Sequence, residues 1–172
     1  MEGTAAKARA VDSLEELYIR HAPAGFRLAL LLTGDHALAE DLVQDAFVRV
    51  VGRLGHVRNA ASFDAYLRRT IVNLTKNTWR RRALERTHGP SPARGADRID
   101  AADGAIVERM ELLDGLRSLS ERQRTAIVLR FYEDLPEDEI ATIMGCPTGT
   151  VRSLISRGVA EMRDQIGGPP GA

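Results

Sequence analysis

Four side chains near the C-terminus, Arg152, Ser153, Ser156 and Arg157, are of the types that hydrogen-bond to nucleic acid. Their spacing puts them on one side of a helix. Arginine offers a planar fork to guanine edges or phosphates, and a serine hydroxyl pairs with either. Thr148 is placed to cap that helix. Gly149 and Thr150 follow it at the N-terminus, where free N–H groups favour a phosphate. A second set, Tyr66, Arg69, Asn73, Lys76 (or Asn77) and Arg80, recurs three or four residues apart and so shares one helix face. A third, Asp41, Gln44 and Asp45, is spaced i, i+3, i+4 and forms one polar patch.

Catalytic chemistry finds little support. The four histidines, His21, His36, His56 and His88, lack metal-ligand spacing. There is no glycine-rich phosphate loop or nucleophile elbow. The single cysteine, Cys146, excludes an internal disulfide and reads as a small buried residue in a turn. No metal, cofactor or enzymatic activity is therefore expected. The longest apolar run, "LALLL", is far short of the roughly 20 residues of a membrane span. No membrane partner and a reducing cytoplasm are expected.

Lys and Arg number 24, as do Asp and Glu, which looks wrong for a nucleic-acid binder. The distribution reverses that impression. Between Arg58 and Arg86 stand eight bases (Arg58, Arg68, Arg69, Lys76, Arg80, Arg81, Arg82, Arg86) against Asp64 and Glu85. Between Glu133 and Glu139 stand five acids and no base. A basic patch and an acidic one cancel in the total.

The elements that must position these residues are all helical in period. The first helix begins near Asp12 or Ser13 with Leu14, Leu17 and Tyr18 inward, and Pro23 is expected to break or kink it. An apolar segment, Phe26–Leu32, follows. Asp35 caps a helix from His36 to about Arg53, with Ala39, Val43, Ala46, Phe47 and Val50 on its buried face. Ser62 is the candidate cap of the next, whose buried stripe is Phe63, Leu67, Ile71 and Leu74. "THGPSPARGADR" reads as a flexible linker.

Beyond it, Val107, Met110, Leu113 and Leu116 form one helix face, and "SERQ" is a capping box. Ile127, Val128 and Phe131 are expected in the core. Pro136 and the acids after it suit the first turn of a helix that Gly145 ends. The buried side of the last helix is Val151, Leu154 or Ile155, Val159 and Met162. Two short helices joined by a tight turn have the layout of a helix-turn-helix, whose second helix enters the major groove. The acids Glu133, Asp134 and Glu137 would repel DNA, so they are expected to face away from it, toward a protein partner or solvent. The fold class is thus all-α: two small helical domains joined by a flexible linker, the second with a helix-turn-helix. The residues alone leave open a stand-alone regulator whose N-terminal helices sense a ligand or dimerise.

Three stretches together resemble a known family, the extracytoplasmic-function sigma factors of the sigma-70 superfamily. "LTGDHALAEDLVQDAFVRVV" resembles the helix by which sigma domain two grips the polymerase clamp. "FDAYLRRTIVNLTKNTWRRR" resembles the helix that melts and reads the minus-ten promoter element. "LSERQRTAIVLRFYEDLPEDEIATIMGCPTGTVRSLISRGVAEMR" resembles sigma domain four, which reads the minus-thirty-five element. "SRGVAEMR" further resembles the actinobacterial sigma-E-like subgroup.

The resemblance implies domain two over residues 10–86, a linker over 87–105 that threads toward the active centre, and domain four over 106–166. It implies as partners promoter DNA, an anti-sigma factor, and core RNA polymerase through the clamp and flap of its two largest subunits. Asp41, Gln44 and Asp45 would meet the clamp. Arg58, Asn59, Ala60, Ala61 and Ser62 would form the loop that captures a flipped minus-ten base. Tyr66, Arg69, Asn73, Lys76 and Arg80 would lie beyond it, Tyr66 stacking on a base or packing in the core. Arg80, Arg81 and Arg82 would hold duplex phosphates. Phe63 is expected in the core, and Trp79 between the domains or against DNA. Thr148, Thr150, Arg152, Ser153, Ser156 and Arg157 would read the minus-thirty-five element. Leu116, Leu119, Ile127 and Phe131 would serve the flap or the core.

Overall fold

The computed structural model describes residues 14–52, 60–88 and 112–166, and every regular element among them is helical. Helix α1 (Leu14–Thr33), α2 (His36–Val51) and α3 (Ala60–His88) pack as an N-terminal bundle. Leu28, Leu32, Val50, Phe63 and Ile71 are buried at its centre. Phe63 is core as expected, tilted against His21 and edge-on to Phe47 with ring centroids 4.7 and 5.5 Å away.

Pro23 does not interrupt α1. It lies on the exposed side, between buried Ala22 and Gly25. The Ile19 carbonyl that its ring leaves unpaired is on the solvent side, where water satisfies it. Packing on the opposite side holds the helix continuous. A side chain at Gly25 would reach within 3.1 Å of Ile71 Cδ1, so glycine lets α1 approach α3 closely. Gly34, at φ +65°, turns the chain, and the Asp35 carboxylate accepts from the Leu38 N–H at 3.0 Å. Tyr18 is half-exposed rather than inward, edge-on to Phe47 at 5.0 Å. Ser62 is no cap: α3 already begins at Ala60, extended by two alanines, the best helix formers. The helix also runs on through Thr87 and His88.

The C-terminal unit has α4 (residues 112–118), α5 (Glu121–Ile127), α6 (Glu137–Met144) and α7 (Thr148–Ile166). Ser120 forms the expected capping box with Gln123. After Ile127 the coil widens to a π turn over Val128–Tyr132, closed by the Glu133 N–H on the Val128 carbonyl. Widening shifts the helix register. Val128 and Leu129 are therefore buried, while Phe131, expected in the core, is 64% exposed. Leu116, Leu119 and Ile127 are core and not open to a flap.

Pro136 precedes α6 as its cap residue and Gly145 ends it in the left-handed region. Thr148 is not the cap of α7 but its first residue. The Pro147 carbonyl takes the opening bonds, from Thr150 and Val151. Leu154 is the buried alternative, with Ile155 only partly covered, and Cys146 is half-buried against the core. A side chain at Gly158 would meet Ile127 Cδ1 at 2.5 Å, so glycine lets α7 lie directly on α5.

The two units touch. Arg124 on α5 is buried and donates through four N–H groups: to Leu116, Arg117 and Leu119 around the end of α4, and to Leu32 near the end of α1, at 2.7–3.1 Å. Helix C-termini carry unpaired carbonyls and partial negative charge, which one guanidinium satisfies at both. Burial lowers the pKa of Arg124, with Glu121 opposing and Arg117 adding to the shift. Arg117 donates to the Gly34 carbonyl, Arg68 pairs with Glu133, and Arg27 donates to the Tyr132 hydroxyl at 3.0 Å. Arg124→Met is expected to orphan four carbonyls and cost about 3 kcal/mol, read from the denaturant midpoint. Arg124→Lys should not restore the loss, since an ammonium cannot reach the same four acceptors.

Candidate nucleic-acid and polymerase interfaces

Helix α7 is seated by buried Val151 and Leu154. Its opposite side presents Arg152, Ser153, Ser156 and Arg157, all exposed, with Thr148 and Thr150 half-exposed at its start. Arg157 Nε donates to the Ser153 carbonyl of its own helix at 3.2 Å. Arg152 is turned onto Glu137 of α6: Nε and Nη2 both donate to Oε2, at 3.1 and 2.9 Å. The acidic cluster thus departs from expectation. Glu137 neutralises Arg152, and Glu133, only 15% exposed, points inward to Arg68. Asp134 alone is open to solvent, with Arg130 at 3.6 Å. Glu133 and Glu137 each find an arginine on a neighbouring helix, which for the inward Glu133 offsets the cost of leaving water.

The stripe along α3 is divided between two concavities. Tyr66, Arg69 and Asn73 line a cavity of about 550 Å³, together with Asn77, the alternative to Lys76 in that stripe, and Arg49, which sequence reasoning did not assign there. Arg69 and Asn73 are exposed and Tyr66 is half-buried. Amide, guanidinium and phenol groups around a cavity supply donors, acceptors and an aromatic face. Lys76 and Arg80 instead line a cleft of about 390 Å³ between the units, with Trp79 and, from α5, Arg122. Trp79 is therefore interdomain, with the Arg124 guanidinium 5.9 Å from its ring centroid. The arginine run does not act as one group. Arg80 faces the cleft, Arg81 is 3.8 Å from Glu85, and Arg82 reaches back to Asp35 at 3.7 Å. Arg58 and Asn59 lie outside the described residues, as does the side chain of Ser62.

Asp41, Gln44 and Asp45 are exposed on one side of α2, their neighbours Leu42, Val43 and Ala46 being buried. Gln44 also edges a groove of about 410 Å³ whose walls include Tyr18, Ile19, Pro23 and Phe26. An apolar groove with Glu40 and Gln44 at its rim, beside the exposed Asp41 and Asp45, is suited to a basic helix. Periodicity located the rim; the groove arises from α1 passing beside α2, and pattern did not reveal it. Among the described residues no cluster of His, Cys, Asp or Glu could hold a metal, and no helix is long and apolar enough to cross a membrane.

Two sequence-family models match the chain: Sigma-70 region 2 over residues 17–85, and Sigma-70, region 4 over residues 109–162. The RNA polymerase sigma-E factor of Streptomyces coelicolor is 34% identical over 152 residues, covering 88% of this chain and 85% of that protein. The ECF RNA polymerase sigma-E factor of Escherichia coli K12 is 34% identical over 134 residues, covering 68% of each chain. Among solved structures, the sigma factor RpoE from Bartonella quintana, crystallised with the anti-sigma factor NepR, has a TM-score of 0.70 at 24% identity. The match covers 93% of this chain and 100% of that one, and shows the likeness of fold. With both regions matched in order and identity sustained over most of the chain, the protein belongs to the extracytoplasmic-function group of the sigma-70 family, the RNA polymerase sigma factors.

Proposed function

We propose that this sigma factor brings core RNA polymerase to its promoters as a bipartite reader, with each half engaging one promoter element. The observation that carries the reading is the presence on one chain of two separate faces suited to DNA. One is the Tyr66–Arg69–Asn73 cavity on α3, the other the exposed Arg152–Arg157 side of α7. In this assignment the α3 cavity takes unstacked bases of the minus-ten element, while Lys76 and Arg80 hold phosphates beside it. Arg58, Asn59 and Ser62 precede it as the loop that captures a flipped base. Helix α7 lies in the major groove of the minus-thirty-five element, with Arg152, Ser153, Ser156 and Arg157 on base edges and phosphates, and Thr148 and Thr150 at the helix entry.

Asp41, Gln44 and Asp45 meet a basic helical surface of the polymerase clamp, with the adjoining groove receiving its apolar side chains. Phe131, exposed by the π turn, is the candidate for the flap. Residues 10–86 act as domain two, 106–166 as domain four and 87–105 as the linker. The chain performs no catalysis, works in the cytoplasm with polymerase and promoter, and has an anti-sigma factor among its partners. The halves meet through hydrogen bonds and ion pairs as well as apolar contact, and the polar part of such an interface can exchange for water when domains move. Polymerase can therefore hold them apart on two elements, tethering raising the effective concentration of each.

Runoff transcription with purified core tests the reading: specific initiation should require this chain, and operator binding without core, with no initiation, would sink it. Arg152→Ala should reduce initiation from promoters bearing the upstream element by about tenfold while leaving core affinity intact. Asp41→Lys combined with Gln44→Ala should weaken assembly with core by about tenfold or more through charge reversal, measured by fluorescence anisotropy.

A further inference from the structure

The carboxylate on Arg152 has a consequence for how α7 reads DNA. One Glu137 oxygen accepts from both Nε and Nη2, the side-on edge of the guanidinium. The outer edge, Nη1 with the second N–H of Nη2, stays free. That edge is a fork that can pair bidentately with O6 and N7 of guanine. The arginine side chain is 71% exposed and the glutamate 31%, so the less mobile partner, rooted in the first turn of α6, fixes the plane of the more mobile one.

We propose that Glu137 is a positioning residue for upstream-element recognition. It holds Arg152 with only its outer edge presented, selecting guanine, and cancels the charge that would otherwise draw the side chain to any nearby phosphate. This rests on α7 being the upstream reader. Sequence-independent affinity comes from phosphate neutralisation, whereas discrimination comes from base edges. A neutralised, oriented arginine exchanges the first for the second.

Glu137 also suits a helix N-terminus on electrostatic grounds alone. Asp138, in the same turn, shares that role without touching Arg152. It is the control.

The test uses full-length chain assembled with core and a set of promoter duplexes in which each upstream-element guanine is replaced in turn. Arg152→Ala identifies the guanine whose replacement ceases to matter. Glu137→Ala is expected to cut discrimination at that same guanine by about tenfold. It should also raise affinity for unrelated duplex and steepen the salt dependence by about one unit of slope. Glu137→Gln, which keeps an acceptor but loses the charge, should fall between, and Asp138→Asn should change neither property. Unaltered discrimination in Glu137→Ala, with Arg152→Ala effective, overturns the positioning role. So does a uniform loss of binding to all duplexes, the mark of a merely structural residue. If Arg152→Ala alters discrimination at no guanine, the assignment of α7 fails first and the positioning role with it.

Discussion

The arrangement of the chain depends on the buried guanidinium of Arg124. Four of its N–H groups are spent on carbonyls at two helix ends, one in each half of the molecule. Buried carbonyls at a helix C-terminus must be paired, and water has little access to these. Only a planar, permanently charged fork can serve both ends from one side chain. Through it the end of α1, the α4–α5 corner and the face of Trp79 are fixed relative to one another. With α5 fixed, Gly158 sets how closely α7 lies on it. The placement of the exposed arginines on α7 thus traces back to an arginine that is nearly inaccessible.

The same logic resolves the paradox of a neutral protein with nucleic-acid faces. Three of its acids are committed to partners within the molecule: Asp35 caps α2 and lies near Arg82, Glu133 holds Arg68, and Glu137 holds Arg152, while others such as Asp41 and Asp45 stand exposed on α2. Arg69, Lys76, Arg80 and Arg122 are left without a carboxylate within ion-pair distance among the described residues, at or beside the two concavities flanking α3. Local charge, not net charge, is what an approaching phosphate meets within a Debye length of roughly 8–10 Å.

Much of this was legible in the sequence. Three- and four-residue periodicity identified the buried stripes of α2 and α3, and local capping chemistry gave Asp35, the Ser120–Gln123 box and the Gly145 stop. These signals are short-range, and each was settled by residues within one turn. What escaped was set by contacts between elements. Pro23 reads as a breaker until α3 is packed against the other side of its helix. Phe131 reads as core until the π turn rotates it outward. Arg124, spaced like any surface arginine, betrays nothing of its two distant partners. For the candidate sites, helical spacing placed the residues of α7 and α2 correctly on exposed faces. It could not see that the stripe on α3 is shared by two concavities, because that division follows from where the second unit docks.

The division of α3 bears on what each face does. Tyr66, Arg69 and Asn73 open to solvent in a cavity that the second unit leaves uncovered, whereas Lys76 and Arg80 face that unit and Arg122 across the cleft. Bringing three cations together in a partly enclosed space is unfavourable, and Glu121, which lines the same cleft, offsets part of that repulsion. The contacts that hold the units together, Arg124 on Leu32 and Arg68 on Glu133, must outweigh that repulsion. A nucleic-acid backbone drawn to Lys76 and Arg80 relieves it directly and competes with the closed arrangement. On the proposed assignment, the cations that would suit α3 to phosphate also oppose closure of the halves.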